Sequence, residues 1–596
     1  MTTYGDLDLA PIGNCSVSAL VDRAGRYVWA CVPRVDGDPA FSSLLSGQDP
    51  GAEQVHGVWS IDLIDGIDTE QTYAPNTPIL ITRLTDKRGG AVEIIDFCPR
   101  YRREDRTYRP MAFARIVRPV AGAPRIRVRL RPAVGWGKQL AEYTWGSNHI
   151  RYLTAATLRL STTAPISHII HERVWRLEDE QFFFLGPDEP FNGDIRDVVR
   201  GMYERTRGYW QRWVRMLATP HEWQNAVIRA AISLKLCVYE ETGAIVAALT
   251  TSIPESPHSG RNWDYRFCWL RDAYYTVQAL NRLGAVDILE GYLTYLRNIV
   301  DSSAGLDRIQ PVYGVGMEPI LAEAIVETLP GYRSMGPVRA GNQAHEHHQH
   351  DVYGQIVLST VQAFFDERLM RPPTLADFET LETVGERAFA VHLSPDAGLW
   401  EFRTRAAVHT YSAVMCWAAC DRLAKAAHKL GLADRERYWR ERAEQICVTV
   451  LDRAWNEKAG RFAGSLDGSE MDASLLQMLD TRFISPNDTR FLATLDAVEK
   501  DLRRGNHLLR YSEKDDFGLP ETAFNFCTFW YIEALSLVGR RDEARALFEE
   551  MLARRTRAGL LSEDCDFKTG APWGNYPQTY SLAGLINCAV LLSDPW

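Results

Sequence analysis

No stretch of the 596-residue chain approaches the roughly 20 consecutive apolar residues of a membrane-crossing helix. No tract is basic either: the formal net charge is −10, with acids and bases interspersed. The clustered positive face that nucleic-acid binding needs is therefore missing. The eleven cysteines, an odd number, contain no C-x-x-C pair, which gives neither a disulfide framework nor a zinc site. The opening "MTTYGDLDLAPIGN" lacks a basic segment followed by an apolar one, so no leader is expected. These absences describe a reduced, cytoplasmic, soluble protein. Aromatic rings are abundant instead, with 17 Trp and 24 Tyr. Such rings serve equally as core or as the walls of a sugar-binding cleft.

The hydrophobic period changes along the chain. Over residues 1–190, "SALVDRAGRYVWACVP", "GVWSIDLID", "PILITRLTDKRGGAVEIIDF", "FARIVRPVAGAPRIRVRLRP" and "HERVWRLEDEQFFFLG" alternate apolar and polar residues between turns. They predict an antiparallel β-sandwich. Near Asp194 the period becomes helical, and 191–221 reads as a helical linker. From 222 to 596 the 3.6-residue period predicts twelve helices, near 222–240, 271–283, 286–302, 348–366, 376–391, 409–430, 434–454, 471–479, 487–503, 522–538, 541–556 and 578–593. Short turns at 284–285, 431–433 and 539–540 join antiparallel neighbours, whereas the loops after every odd-numbered helix are long. A closed ring of six hairpins with its long loops on one face has this rhythm, and function concentrates in such loops.

The first long loop ends in "SGRNWDYRFCWLRDAYYTVQAL", where Arg261, Asp264, Arg266, Arg271 and Asp272 are threaded between Trp263, Tyr265, Phe267 and Trp269. The bland reading is a helix cap with surface ion pairs; the functional one is a cleft that hydrogen-bonds hydroxyls and stacks rings on a sugar. The second loop carries "GYRSMGPVRAGNQAHEHHQHDVYG". Its histidines, His345, His347, His348 and His350, lack an H-E-x-x-H pattern and read as a polar rim or buried hydrogen-bonded groups before a metal site. Arg339 and Asn342 sit there on a Gly-containing turn. The third loop places Glu401 directly after Trp400 and near Arg403 and Arg405. An apolar wall raises a carboxyl pKa and a guanidinium lowers it, so this glutamate is either tuned or an exposed ion pair. The sixth loop clusters Glu563, Asp564 and Asp566 before a Gly/Pro-rich turn, without the spacing of an EF-hand. Brought to one face, loops 392–408 and 557–577 offer two carboxylates across a ring-lined hollow. That is the equipment of glycoside hydrolysis, with an inverting pair standing roughly 6.5–9.5 Å apart.

The segments "RNWDYRFCWLRDA", "GYRSMGPVRAGN", "GLWEFR", "DDFGLPETAFNFCTFWYIEAL" and "LLSEDCDFKTGAPWGNYPQTYS" occur in that order over about 320 residues. In this the chain resembles glycoside hydrolase family 15, the glucoamylase and bacterial trehalase family. The resemblance implies an (α/α)6 barrel behind an N-terminal β-sandwich. It implies an exo-acting hydrolase that cleaves terminal α-glucosidic bonds with inversion and needs no cofactor or metal. Position by position, Glu401 matches the general acid and Glu563 the general base. Arg271 and Asp272 match the pair that grips the non-reducing glucose, and Trp400, Trp263 and Arg339 match the lining of that subsite. Two departures stand out: Phe402 occupies the place of a second acidic residue, and "GLPETAF" replaces a Gly-rich stretch on the leaving-group side.

The expected partner is a small α-glucoside, either trehalose or a malto- or isomalto-oligosaccharide, with no nucleic acid and no membrane. A disaccharide phosphorylase of related architecture would use one carboxylic acid and let phosphate replace the activated water. A non-catalytic sugar-binding protein would keep the rings and have no need of both Glu401 and Glu563.

Overall fold

The computed structural model describes residues 6–303, 305 and 308–595. The first five residues of the segment read above for a leader lie outside them, as does Trp596.

Among the described residues, two large antiparallel sheets, with two small two-stranded ones, form the N-terminal domain. The first runs in the order Ala10–Gly13, Ser18–Val21, Tyr27–Val32, Val58–Leu63, Arg125–Arg131, Trp175–Arg176, with Asp38–Phe41 also on Tyr27–Val32. The second runs Tyr143–Trp145, His149–Tyr152, Leu158–Thr162, Gln181–Pro187, Phe113–Ala121, Ala91–Phe97, Leu80–Asp86, Gly66–Tyr73. Side chains alternate across a strand, and "QFFFLGP" uses both faces. Phe183 and Leu185 join Trp59, Ile61 and Val128 of the first sheet in a common core. Phe182 and Phe184 pack on the other side with Val199 and Met202 of a helix. That helix, α2 (Ile195–Arg215), starts where Asp194 accepts the backbone N–H of Arg196 at 2.7 Å. A five-residue helix, α1 (Ile166–Ile170), interrupts the strand-rich half.

Among the described residues twelve α-helices follow, each overlapping one that the sequence period predicts: α3 (Gln224–Leu236), α4 (Leu270–Arg282), α5 (Val286–Ser302), α6 (Asp351–Val361), α7 (Leu375–Val391), α8 (Thr410–Lys429), α9 (Ala433–Arg453), α10 (Gln477–Asp480, a single turn after the 3-10 turn Ala473–Leu476, where the period predicts 471–479), α11 (Thr489–Leu502), α12 (Asn525–Leu537), α13 (Arg541–Ala553) and α14 (Thr579–Leu592). The short turns after α4, α8 and α12 each contain a glycine in the left-handed region: Gly284 (φ 82°), Gly431 (φ 72°) and Gly539 (φ 91°). A Cβ at any of the three would meet nothing within 4 Å, so the backbone angle, and not space, demands glycine there. Helix α4 packs on α6, α6 on α8, α8 on α10, α10 on α12, α12 on α14, and α14 returns to α4. Helices α5, α7, α9 and α13 lie against these six. Composition follows position: α12 is buried almost throughout, whereas α9 buries only Trp439, Ala443, Ile446 and Val450, a single stripe.

The long connections at 237–269, 303–350, 392–409, 503–524 and 554–578 lead into α4, α6, α8, α12 and α14, and one cavity takes residues from all five. The β domain braces the first of them. Trp29 donates its indole N–H to the Leu249 carbonyl at 2.8 Å, and buried Arg266 reaches the Gly37 carbonyl at 2.7 Å.

Buried carboxyl groups pin the loops and set a pH dependence. Asp396 accepts the His350 backbone N–H at 2.7 Å and the Ser412 hydroxyl at 2.8 Å. Burial pushes its pKa up to about 7. The folded state then holds a proton that the unfolded chain releases near pH 4. Its stabilising contribution is complete below that pH and is lost as pH rises through 7. The melting temperature is expected to fall between pH 5 and pH 8. Asp396→Asn should melt higher than the parent by a margin that widens from pH 5 and reaches about 2 °C or more at pH 8, read by calorimetry across pH. Parallel curves for the two proteins would contradict this.

Candidate active site

Glu401 closes the turn that begins at Gly398, its N–H donating to the Gly398 carbonyl at 3.1 Å. Its φ is 61°, an uncommon left-handed angle for a residue with a side chain. Such strain is held by surrounding contacts, and here three donors converge on Oε1. They are the Trp269 indole N–H at 2.6 Å, the Gln349 amide at 3.1 Å and Arg271 Nη2 at 3.3 Å. Among the described residues, none donates a hydrogen bond to Oε2.

Glu563 is held differently. It precedes the short strand Asp564–Cys565, which pairs with Ala523–Phe524 on one side and Pro572–Trp573 on the other. Its Oε1 accepts the Tyr265 hydroxyl at 2.6 Å, and its Oε2 the Asn575 N–H at 3.3 Å. Gly574 permits this approach, since a Cβ there would fall 2.5 Å from Oε2. Glu563 is 1% exposed. Burial pushes its pKa well above the usual value, and the negative charges of Glu255 and Asp564 add to the rise. The Arg510 guanidinium and the Tyr265 hydroxyl pull the other way.

Tyr265 and Trp269 stand edge to face with ring centroids 5.5 Å apart. One five-residue segment therefore bonds both glutamates, and both glutamates line the same cavity. Asp272, on the first turn of α4, also lines it and is buried; burial pushes its pKa up to about 7, with Arg271 pulling it down and Glu401 pushing it up. At neutral pH it is partly protonated, able both to donate and to accept hydrogen bonds. Arg271 also lines the cavity, but its donors go to Tyr580 (2.7 Å), Gln349 (2.7 Å), Asp351 (3.2 Å) and Glu401. It holds the glutamate as much as any ligand.

The rings sort themselves. Trp400 lines the cavity, yet its indole N–H goes to Asp472 at 2.7 Å and its ring packs with Tyr511, Phe524 and Trp530. The indole bonded to Glu401 is Trp269, not the sequence neighbour Trp400. Trp263 donates to Glu255 at 3.0 Å, and the guanidinium carbons of Arg339 and Arg403 lie 5.2 and 4.5 Å from its ring centroid. Arg339 does not line the cavity and pairs with Glu323 at 2.7 Å. Arg403 turns to the same Glu323 at 2.8 Å, and Arg405 covers Phe402 at 3.8 Å. The two arginines that follow Glu401 in sequence thus serve other partners. Phe402 is buried against His409 and Tyr511.

Not every candidate charge joins the cavity. Asp264 and Arg266 pair with each other at 2.7 Å and anchor the loop to the β domain. Of the four histidines only His347 lines the cavity, and burial lowers its pKa. His345 Nδ1 meets the Asn342 carbonyl at 2.9 Å. Among the described residues no group of three or more His, Cys, Asp or Glu is placed to hold a metal ion. Sequence reasoning passed over Glu255 and Arg510. Arg510 binds Glu255 at 2.8 Å and Asp564 at 3.2 Å, next to Glu563. Asp564 is pushed up to about 7, by burial first. Glu255 lies in "TSIPES", a stretch whose only signal is one acid among small residues.

A cavity with two differently held carboxyl groups, indole walls and hydrogen-bonding charges suits acid–base chemistry on a polyhydroxylated ligand. The comparisons agree with that chemistry. A family model described as glycosyl hydrolases family 15 matches residues 222–590, and a model described as trehalase-like, N-terminal, matches residues 8–166. A trehalase of Mycolicibacterium smegmatis is 31% identical, covering 98% of this chain and 90% of its own. A trehalase of Thermoplasma volcanium is 30% identical, covering 98% and 93%. Among solved structures, a bacterial glucoamylase complexed with acarbose superposes with a TM-score of 0.68 over 99% of this chain and 94% of its own, at 12% identity.

Proposed function

The chain belongs to glycosyl hydrolase family 15, and from that premise we propose that it hydrolyses α,α-trehalose with inversion, Glu401 acting as general acid and Glu563 as general base. The observation that carries the reading is that Tyr265 and Trp269, in one short segment, each hold one of two glutamates facing a single cavity. Relatives named trehalase match nearly the whole chain, β domain included, and this favours trehalose over longer α-glucosides.

In this reading Glu401 protonates the glycosidic oxygen through Oε2, the oxygen its three donors leave open. Water on the opposite face of the sugar gives a proton to Glu563 as it attacks the anomeric carbon. The bond to the leaving glucose breaks and β-glucose forms at the attacked centre. Asp272 and Arg271 hydrogen-bond the glucose, Trp400 and Trp263 wall it, and Arg339 fixes Trp263. The helices read as the six hairpins of an (α/α)6 barrel over 222–596. A β-sandwich over 1–190 and a linker at 191–221 precede it. The successive packing of α4, α6, α8, α10, α12 and α14 back to α4 supports this arrangement. Eleven free cysteines, most of them buried, suit a cytoplasmic location.

Glu563 works only when ionised, and its pKa is raised, so activity fails on the acid side at a pH above the ordinary carboxylate range. Glu255→Gln removes the largest charge pushing it up. The acid limb of kcat/KM is expected to move down by about half a pH unit or more in that variant; an unmoved limb contradicts the assignment of the base. Glucose release from trehalose, maltose and isomaltose, without phosphate, tests the function itself. Trehalose is expected to react fastest. Preference for maltose or isomaltose would make the protein glucoamylase-like, and release of glucose 1-phosphate when phosphate is supplied would make it a phosphorylase.

A further inference from the structure

Away from the catalytic cavity, a second cavity of about 480 Å³ opens where the β domain meets the helices. Gln71, Thr72, Tyr73 and Asn76 face it from one side, and Asn225 and Arg229 of α3 with Arg555, Arg557 and Gly559 from the other. Three arginines line it and, among the described residues, no carboxylate does. Arg557 has an acid outside the cavity, Asp8 at 3.4 Å. Among the described residues the other two have none. Arg229 is half-buried; its Nη2 donates to the Thr77 carbonyl at 3.0 Å, while its buried Nη1 has no partner among the described residues. The Tyr73 ring, 3.6 Å from its guanidinium carbon, is the compensation it has. Arg555 spends Nε on the Leu552 carbonyl at 2.9 Å, and burial lowers its pKa with no acid opposing. The two meet around Gly559, where a Cβ would lie 3.1 Å from Arg229 Cγ and 3.9 Å from Arg555 Nη1.

Arginine does not shed its proton, so a desolvated guanidinium needs an anion. We propose that this seam cavity binds a phosphoryl-type oxyanion, gripped by Arg229 and Arg555 with Arg557 at its edge. Guanidinium forks match the oxygens of such a group. The cavity has room beyond a bare ion, and Asn76, Asn225 and Thr72 line it with groups able to hydrogen-bond hydroxyls, so the group arrives as free phosphate or on a sugar phosphate. Its position links two regions. The turn at its wall closes through Thr556 N–H to the Leu560 carbonyl (2.8 Å), three residues before Glu563. A bound anion thus clasps the β domain to the root of the loop that carries this glutamate.

The test is thermal unfolding and titration calorimetry of the full chain with low-millimolar inorganic phosphate and, separately, glucose 6-phosphate, against chloride at equal ionic strength. Low concentration matters because phosphate at high concentration stabilises proteins by exclusion from their surface. A saturable rise in melting temperature of about 2 °C or more is expected with at least one of them. Affinity should fall about tenfold or more in Arg555→Gln and in Arg229→Gln. Arg555→Gln, on a half-exposed loop, decides the matter if Arg229→Gln fails to fold. Saturation by free phosphate identifies the ion as the ligand, and saturation by the ester alone identifies a sugar phosphate. If neither exceeds chloride, or if Arg555→Gln binds as the parent does, the proposal is overturned.

Discussion

Glu401→Gln is expected to lower kcat on trehalose by about 10²- to 10⁴-fold, the range that a positioned proton donor contributes. The amide keeps the size of the carboxyl group, and its oxygen can still accept the hydrogen bonds of Trp269, Gln349 and Arg271. The folded state and its melting temperature should therefore change little. What disappears is the proton on the open oxygen. The loss should depend on the leaving group. Glucose is a poor one and needs protonation as its bond breaks, whereas the fluoride of α-glucosyl fluoride leaves with far less help. On that substrate most of the deficit is expected to vanish. Equal losses on both substrates would show that Glu401 serves binding or structure and does not deliver the proton.

Glu563→Gln is expected to cost a similar or larger factor, about 10²- to 10⁴-fold, with the opposite leaving-group behaviour. Activating water is required whatever departs, so α-glucosyl fluoride should rescue little. The site also predicts a side effect. Glu563 is buried beside Glu255 and Asp564, with Arg510 as the nearby counter-charge. Replacing an acid that burial and neighbours disfavour in its charged form removes that burden. The variant is expected to unfold at the same or a higher temperature than the parent at pH 8, while being nearly inactive. A stable, inactive protein separates chemistry from folding. An unstable one with proportionate activity would place Glu563 in the structure alone.

Much of this molecule is legible in its sequence because its strongest signals are periodic. Helix α12 reads as apolar on every side, and α9 as a single stripe, because one is enclosed and the other faces water. Asp194 marks the change of period and caps α2. The strand Gly66–Tyr73 escaped for the converse reason: it is an edge strand, exposed over most of its length, with no apolar face to alternate. The carboxyl pair could be suspected from motifs in two loops, but their environments could not. Trp400 adjoins Glu401 in sequence and bonds Asp472, whereas Trp269, 132 positions away, bonds Glu401. Chain adjacency at a turn says little about side-chain direction, above all at a residue with φ of 61°. Glu255 and Arg510 were invisible because their meaning lies in a contact between loops 255 positions apart. Arg339 read as part of the glucose subsite and Arg403 as a charged neighbour of Glu401, whereas Glu323, which stands in no motif, holds both.

Proton NMR of a fresh reaction with trehalose, followed before mutarotation mixes the anomers, tests the central claim most directly. Water attacking under Glu563 while Glu401 protonates the leaving oxygen must invert one anomeric centre and leave the other untouched. The earliest spectra should show α- and β-glucose in equal amounts, with or without phosphate. α-Glucose alone would mean retention and a covalent glycosyl intermediate, and glucose 1-phosphate would mean that phosphate does the work assigned to water. Either result would contradict the account.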